Sequence, residues 1–152
     1  RPDELVTRAQ FAKIIVLALG QHTEEIDNVA DPTFPDVQYL GEAYPFDFIE
    51  EAVALGIING CDDGCFWPNA DVTRAQIALM LARAGGDGLQ QPSITYSSPF
   101  LDVPPFAAEA VAIAHYNGLV SGKTADSFSP YSSATRGQVA KMVYGLYQAL
   151  AR

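Results

Sequence analysis

Three stretches of the chain repeat one spacing of apolar positions. They are Phe11, Ile14, Ile15 and Ala18; Ile77, Met80, Leu81 and Ala84; and Val139, Met142, Val143 and Leu146. Steps of three and four residues place each set on one face of a helix. The same kind of tetrapeptide precedes each set: Thr7-Arg8-Ala9-Gln10, Thr73-Arg74-Ala75-Gln76 and Thr135-Arg136-Gly137-Gln138. Thr-x-x-Gln is a capping box, in which the threonine hydroxyl accepts from the third helical N–H and the glutamine side chain reaches back. Gly20 and Gly85 stand where C-terminal caps belong. Two more apolar faces predict helices beginning near Tyr44 and near Pro104-Pro105: Ile49, Ala52, Val53 and Leu55, then Phe106, Ala110, Val111, Ile113 and Ala114. Pro45 and Pro105 suit a first turn, where a missing N–H costs nothing, and Gly56 and Gly118 end these helices. No long strand is expected, although Ile94-Thr95-Tyr96 could pair briefly.

The tetrapeptides recur at intervals of 66 and 62 residues, and other elements recur with them. Phe34-Pro35-Asp36-Val37 matches Phe100-Leu101-Asp102-Val103. Gly56-Ile57-Ile58-Asn59-Gly60 matches Gly118-Leu119-Val120-Ser121-Gly122, and Phe66-Trp67-Pro68 matches Phe128-Ser129-Pro130. One unit therefore reads F-x-D-V, a helix, G-h-h-x-G, a polar loop, F-x-P, and T-R-x-Q opening a second helix. Units span 34–85 and 100–150, and residues 1–19 form only a second half. Its first half would lie upstream of Arg1. Residues 20–33 and 86–99 read as linkers. No single helix pair could bury its apolar face alone. Three T-R-x-Q helices packed around a pseudo-threefold axis, with the first helices outside, are the simplest solution, and a linear stack is the competing one.

Composition narrows the function. Of 152 residues, 49% are hydrophobic and 18% charged, which argues against disorder. Eighteen acids against nine bases give a charge of −9, so broad nucleic-acid binding and a polybasic membrane patch are disfavoured. No apolar run approaches the ~20 residues of a membrane span, so no membrane insertion is expected. No G-x-S-x-G, Walker A or H-E-x-x-H motif is present. His22, in a linker, and His115, late in a helix, read as structural or solvated.

The ordered set of motifs resembles the S-layer homology domain. The fullest match runs from Phe34-Pro35-Asp36-Val37 through Gly56–Gly60, Asp62-Asp63-Gly64 and Phe66-Trp67-Pro68 to Val72-Thr73-Arg74-Ala75-Gln76; the third unit repeats it from Phe100 to Tyr147. The resemblance implies an all-α fold, a three-pronged spindle around a central helical bundle, with binding grooves between repeats. It implies a non-catalytic, secreted module that anchors proteins at the bacterial cell surface. Its implied partner is secondary cell-wall polysaccharide or a peptidoglycan-linked glycan, often bearing a pyruvate ketal, and no cofactor is implied. A contact module between surface-layer subunits, with degenerate sugar sites, is the alternative.

The family's T-R-A-E arginine carries over to Arg8, Arg74 and Arg136. A guanidinium fork suits a ketal carboxylate; the competing reading pairs each arginine with an acid such as Asp36 or Asp102. Those two aspartates either bond their own turn, which has the stronger case, or touch ligand. As a glycosidase pair they are disfavoured, because equivalent positions in successive units suit a turn better. Tyr44 and Phe106 stand where the family often has Trp and either line a sugar site or pack. Trp67 either stacks on a sugar or packs beside Pro68. Ser132 matches the family's polar residue four before the arginine, whereas Glu4 and Ala70 do not, so the groove of the second unit is expected to be altered or silent. Gln10, Gln76 and Gln138 replace the usual Glu, and Gly137 the usual Ala. Asp62-Asp63-Gly64 reads as a turn, not a calcium loop. Cys61 and Cys65 flank it and are expected to form a disulfide outside the cell; two thiols alone make a poor zinc site.

Overall fold

A computed structural model describes residues 1–21 and 31–152. His22 and most of the first expected linker lie outside the described residues. The described chain contains five α-helices: α1 (Arg8–Ala18), α2 (Phe46–Ala54), α3 (Arg74–Gly85), α4 (Pro105–Tyr116) and α5 (Arg136–Leu150). The fold class is all-α, as the periodicity predicts. Thr7, Thr73 and Thr135 are extended N-caps, and all three capping boxes have both of their hydrogen bonds. Pro105 is the first residue of α4, while Pro45 stands one residue before α2.

One cap differs from expectation. Gly20 follows α1 at φ +74°, but after α3 the left-handed residue is Gly86, at φ +45°. Gly85 is still helical. It is glycine for a packing reason: a Cβ there would stand 2.4 Å from the Leu89 side chain, which is buried against it.

The packing partners are offset from the units read along the chain. α2 lies on α1, and α4 lies on α3. The first helix of each full unit thus packs on the second helix of the unit before it. α5 contacts both α1 and α3. Phe11, Ile15, Ile77, Leu81 and Leu146 from the three T-R-x-Q helices are fully buried, as are Ile49 and Val111 from α2 and α4. Burying side chains of this size stabilises by about 1.5–3 kcal/mol each before entropy is counted.

Ile94-Thr95-Tyr96 does not pair; Tyr96 closes a turn by donating to the Ser93 carbonyl at 2.9 Å. Pairing occurs instead around each capping threonine, as isolated bridges Thr7 to Asp71, Thr73 to Ser133 and Thr135 to Leu5. Val72 N–H donates to the Val6 carbonyl at 2.9 Å, Val6 to Ala134 at 3.1 Å, and Ala134 to Val72 at 3.2 Å. The three bonds close a cycle, and all three side chains are buried. Arg8 N–H likewise bonds the Ala70 carbonyl, Arg74 that of Ser132, and Arg136 that of Glu4. A linear stack would leave the third repeat without bonds to the first. Here Arg136 to Glu4 at 2.8 Å and Gly137 to Pro2 at 3.0 Å supply them.

The second expected linker is held down. It opens with a 3-10 turn, Gly86–Gly88. Buried Asn117 then fixes Gln90 by accepting from its N–H at 2.9 Å and donating to its carbonyl at 2.8 Å.

Candidate functional site

The repeated motif elements meet at the boundaries between repeats. Arg8 Nε donates to the Phe66 carbonyl at 2.7 Å, across 58 residues of sequence. Its guanidinium lies over the Phe66 ring, 4.7 Å from the centroid. Arg74 repeats this on the next repeat: Nε to the Phe128 carbonyl at 2.8 Å, with the ring centroid at 4.6 Å. Arg74 adds a bond from Nη2 to the Ser121 carbonyl at 2.6 Å. Each arginine therefore clasps the F-x-P loop of the following repeat.

The same phenylalanines are held from the other side. Asp36 accepts from the Phe66 and Trp67 N–H groups at 2.9 and 2.7 Å. Asp102 accepts from Phe128 and Ser129 at 2.7 and 2.8 Å, and from the Ser127 hydroxyl at 2.8 Å. Trp67 and Ser129 have φ of 59° and 58°, left-handed positions that a non-glycine residue occupies at a cost of about 1–3 kcal/mol. Two N–H bonds to one carboxylate offset that cost. Phe34 stacks on Phe66 and Phe100 packs on Phe128, both with centroids 5.4 Å apart. F-x-D-V, F-x-P and T-R-x-Q are thus parts of one lock, whose arginine comes from the preceding repeat.

The arginines are 7% and 4% exposed. No carboxylate lies within salt-bridge distance of either among the described residues, so they are held by carbonyls and rings rather than by Asp36 or Asp102. Burial lowers both guanidinium pKa values, opposed by the charges of Cys61 and Asp36 at Arg8 and of Asp102 at Arg74. Arginine remains protonated under such burial, so the cost of desolvation falls on stability rather than on charge.

Two equivalent grooves open beside these locks. The first, of about 620 Å³, is lined by Arg8, Asn59, Cys61, Gln76, Arg83 and Phe106, among others. The second, of about 420 Å³, is lined by Arg74, Ser121, Lys123, Gln138, Lys141 and His115, among others. By the repeat register, Lys123 takes the place of Cys61, and Lys141 that of Leu79. Lys123 and Lys141 are exposed, and their side chains make no hydrogen bond or ion pair among the described residues. The first groove also contains Asp62, and its Arg83 donates to the Ile57 carbonyl at 3.3 Å. The second groove is therefore the more cationic and the better suited to an anion.

The structure brings together some of the residues singled out in the sequence. Arg8 and Phe106 line the first groove, where Phe106 is 60% exposed rather than packed on its helix's apolar face. Arg74 lines the second. Arg136 is exposed and lines neither groove. Tyr44 lies 5.5 Å beneath Lys13 Nζ. Trp67 is half-exposed and donates from Nε1 to Asp63 at 2.8 Å, so its ring spans its own polar turn. Ser132 contributes its backbone carbonyl to Arg74. His115 bonds the Tyr96 hydroxyl through Nδ1 at 2.6 Å. Cys61 and Cys65 are half-exposed thiols flanking the expected turn, which the Cys61 N–H closes on the Cys65 carbonyl at 2.8 Å. Desolvation, then the charges of Asp63 and Asp36, raises the Cys65 pKa. Sequence reading missed Lys123 and Lys141. The available signal was positional: one directly follows G-h-h-x-G, and the other is one helical turn after Gln138.

A cycle of helical repeats with grooves at their boundaries defines a repeat-built binding module. No helix among the described residues is long and apolar enough to cross a membrane. The chain belongs to the S-layer homology domain family, whose model matches residues 33–78 and 99–140. It is 35% identical over 137 residues to an endoglucanase of Bacillus sp. (strain KSM-635), covering 90% of this chain and 14% of the relative. It is 30% identical over 141 residues to the surface-layer 125 kDa protein of Lysinibacillus sphaericus, covering 89% and 11%. With exoglucanase XynX of Acetivibrio thermocellus the identity is 31% over 152 residues, covering 97% and 13%. The chain thus spans at most about a seventh of these relatives, and the enzyme-named ones match it only through this region. S-layer homology domains are cell-wall anchoring modules of surface-layer proteins and surface enzymes, which makes this chain part of a secreted cell-surface protein.

Proposed function

We propose that the module binds an anionic secondary cell-wall polysaccharide non-covalently, through the grooves between its repeats. The second groove is its principal site. The observation that carries this reading is the convergence of Arg74, Lys123 and Lys141 on one groove in a chain of net charge −9. Guanidinium N–H groups not used on the Phe128 and Ser121 carbonyls meet the carboxylate of a pyruvate ketal, and the lysines supply the surrounding positive field. Phe106 offers an apolar face to a sugar in the first groove. Asp36 and Asp102 serve the sites indirectly, by holding the loops that the arginines clasp. The cycle of inter-repeat bonds supports a three-pronged arrangement around the T-R-x-Q helices. Several weak sites suffice on a polymer, because the first contact raises the effective concentration for the second. Acidic surface outside the grooves makes binding sensitive to salt. The replacement of both lysine positions by Cys61 and Leu79 in the first groove favours a second reading, in which that groove contacts other surface-layer subunits.

The test is co-sedimentation with cell walls of the protein's own source, before and after the secondary polysaccharide is stripped. Pelleting that disappears on stripping is expected. Pelleting that survives stripping would move the ligand to peptidoglycan or protein and remove the role given to the second groove.

A further inference from the structure

A further cavity, of about 490 Å³, lies between the segment that follows α3 and the outer side of α4. It shares no lining residue with either groove. Its volume falls in the range of small-ligand sites, roughly 300–1,000 Å³. The wall formed by the segment is fixed in place. Asn117 holds Gln90 at one end through two hydrogen bonds. Further on, the Tyr96 hydroxyl bonds His115 Nδ1 at 2.6 Å, and the Tyr96 ring packs edge-to-face with Tyr116, centroids 5.1 Å apart. Phe100 packs on His115 in the same way, also at 5.1 Å. A pocket built in advance spares a ligand the cost of ordering it.

The polar lining is unspent. The side chains of Gln91, Ser97, Ser98 and Glu109 line the cavity and make no hydrogen bond or ion pair among the described residues. An amide, two hydroxyls and a carboxylate can together donate and accept. Tyr96 and Phe100 supply an apolar wall. Glu109 is the one charged residue in the lining among the described residues. The field is therefore opposite in sign to that of the second groove, and an anion is disfavoured.

We infer that this cavity is a separate glycan site, selective for an uncharged sugar residue. The sugar hydroxyls meet Gln91, Ser97 and Ser98, and one donates to the Glu109 carboxylate in a charge-assisted bond. The C–H face of the sugar lies against Tyr96, whose hydroxyl is committed to His115 and so fixes the ring. The inference rests on the chain being a cell-wall anchoring module, because sugars are the uncharged, hydroxyl-rich ligands of a wall. It does not need the acidic ligand proposed for the second groove.

The experiment is an amide-resolved NMR titration of the whole chain with the methyl glycosides of glucose, galactose and N-acetylglucosamine, and with glucuronate. Saturable shifts at residues 91–98 and 108–113 are expected with at least one neutral probe, with a Kd of ~1–10 mM. Glucuronate should bind about fivefold more weakly, the scale of one exposed charge contact. Ala108→Phe, at an exposed position of the lining, fills part of the cavity and should weaken the neutral probe at least tenfold. Glu109→Gln should bring glucuronate to within about twofold of the neutral probe, because it removes the repulsion. No saturable shift at these residues with any neutral probe would overturn the inference, as would glucuronate binding as tightly as the neutral probe in the native chain, or affinities unchanged in both variants. Shifts confined to the residues lining the second groove would also overturn it, while leaving the reading of that groove intact.

Discussion

Replacing Arg74 by methionine is expected to lower stability by about 3 kcal/mol and to weaken polysaccharide binding at least tenfold. Methionine fills much of the space but makes no hydrogen bonds. The carbonyls of Phe128 and Ser121 lose donors at 2.8 and 2.6 Å, and hydrogen bonds from a charged group contribute roughly 1.5–3 kcal/mol. The cation–π contact with Phe128 adds about 0.5–2 kcal/mol. Relief of guanidinium desolvation offsets part of the sum. For a chain of this length about 3 kcal/mol corresponds to a fall in Tm of roughly 6–12 °C, read by calorimetry. Binding falls because the loss of a charge-assisted contact to the carboxylate is itself worth a factor of ten or more. Arg74→Lys separates the two roles. It keeps the charge but not the fork, so it should retain more binding than stability. Equal loss of both in the lysine variant would contradict the division of labour given to the guanidinium.

Asp102→Ala should cost about 2 kcal/mol and flatten the acid limb of the stability curve. It removes the acceptor for Phe128 and Ser129 N–H and for the Ser127 hydroxyl, and it leaves Ser129 left-handed without compensation. Exposure of the site lets water replace part of what is lost, which keeps the figure modest. The Phe128 N–H bond, and after it the Ser129 and Ser127 bonds, hold the Asp102 pKa below the ordinary aspartate value, against an opposing desolvation effect. A carboxylate lowered in the folded state contributes stability that is present above the unfolded pKa and lost as pH falls through the folded one. The native chain should therefore lose stability below about pH 4 more steeply than the alanine variant. Urea midpoints across that range measure both curves. Parallel curves would contradict the role assigned to the carboxylate.

The parts of the lock were legible in the sequence, but their mutual contact was not. Capping boxes are local: Thr7 to Gln10 is three residues, and the spacing alone identifies the bond. The helical core positions follow from periodicity for the same reason, although Ala18 is exposed and Ala12 and Val16, which lie off the chosen spacing, are fully buried. Arg8 meets Phe66 across 58 residues and Arg74 meets Phe128 across 54. Nothing in residue spacing says that an arginine serves the following repeat rather than its own acid. The cycle of backbone hydrogen bonds at Val6, Val72 and Ala134 escaped for a different reason. Each pairing segment is only a few residues long, too short to show the alternation of a strand. Lys123 and Lys141 lie outside the repeated motifs altogether. What distinguishes the second groove is the departure from the repeat, whereas self-similarity selects what stays the same.

Under the proposed function, the second groove recognises an acidic substituent on a wall polysaccharide. Its most direct test is calorimetric titration of the chain with purified polysaccharide, intact and after selective removal of its pyruvate ketals, alongside the double variant Lys123→Ala/Lys141→Ala. Binding that weakens at least tenfold on removal of the ketals, with the double variant insensitive to that removal, is the predicted result. Equal affinity for the intact and ketal-free polymer would contradict it.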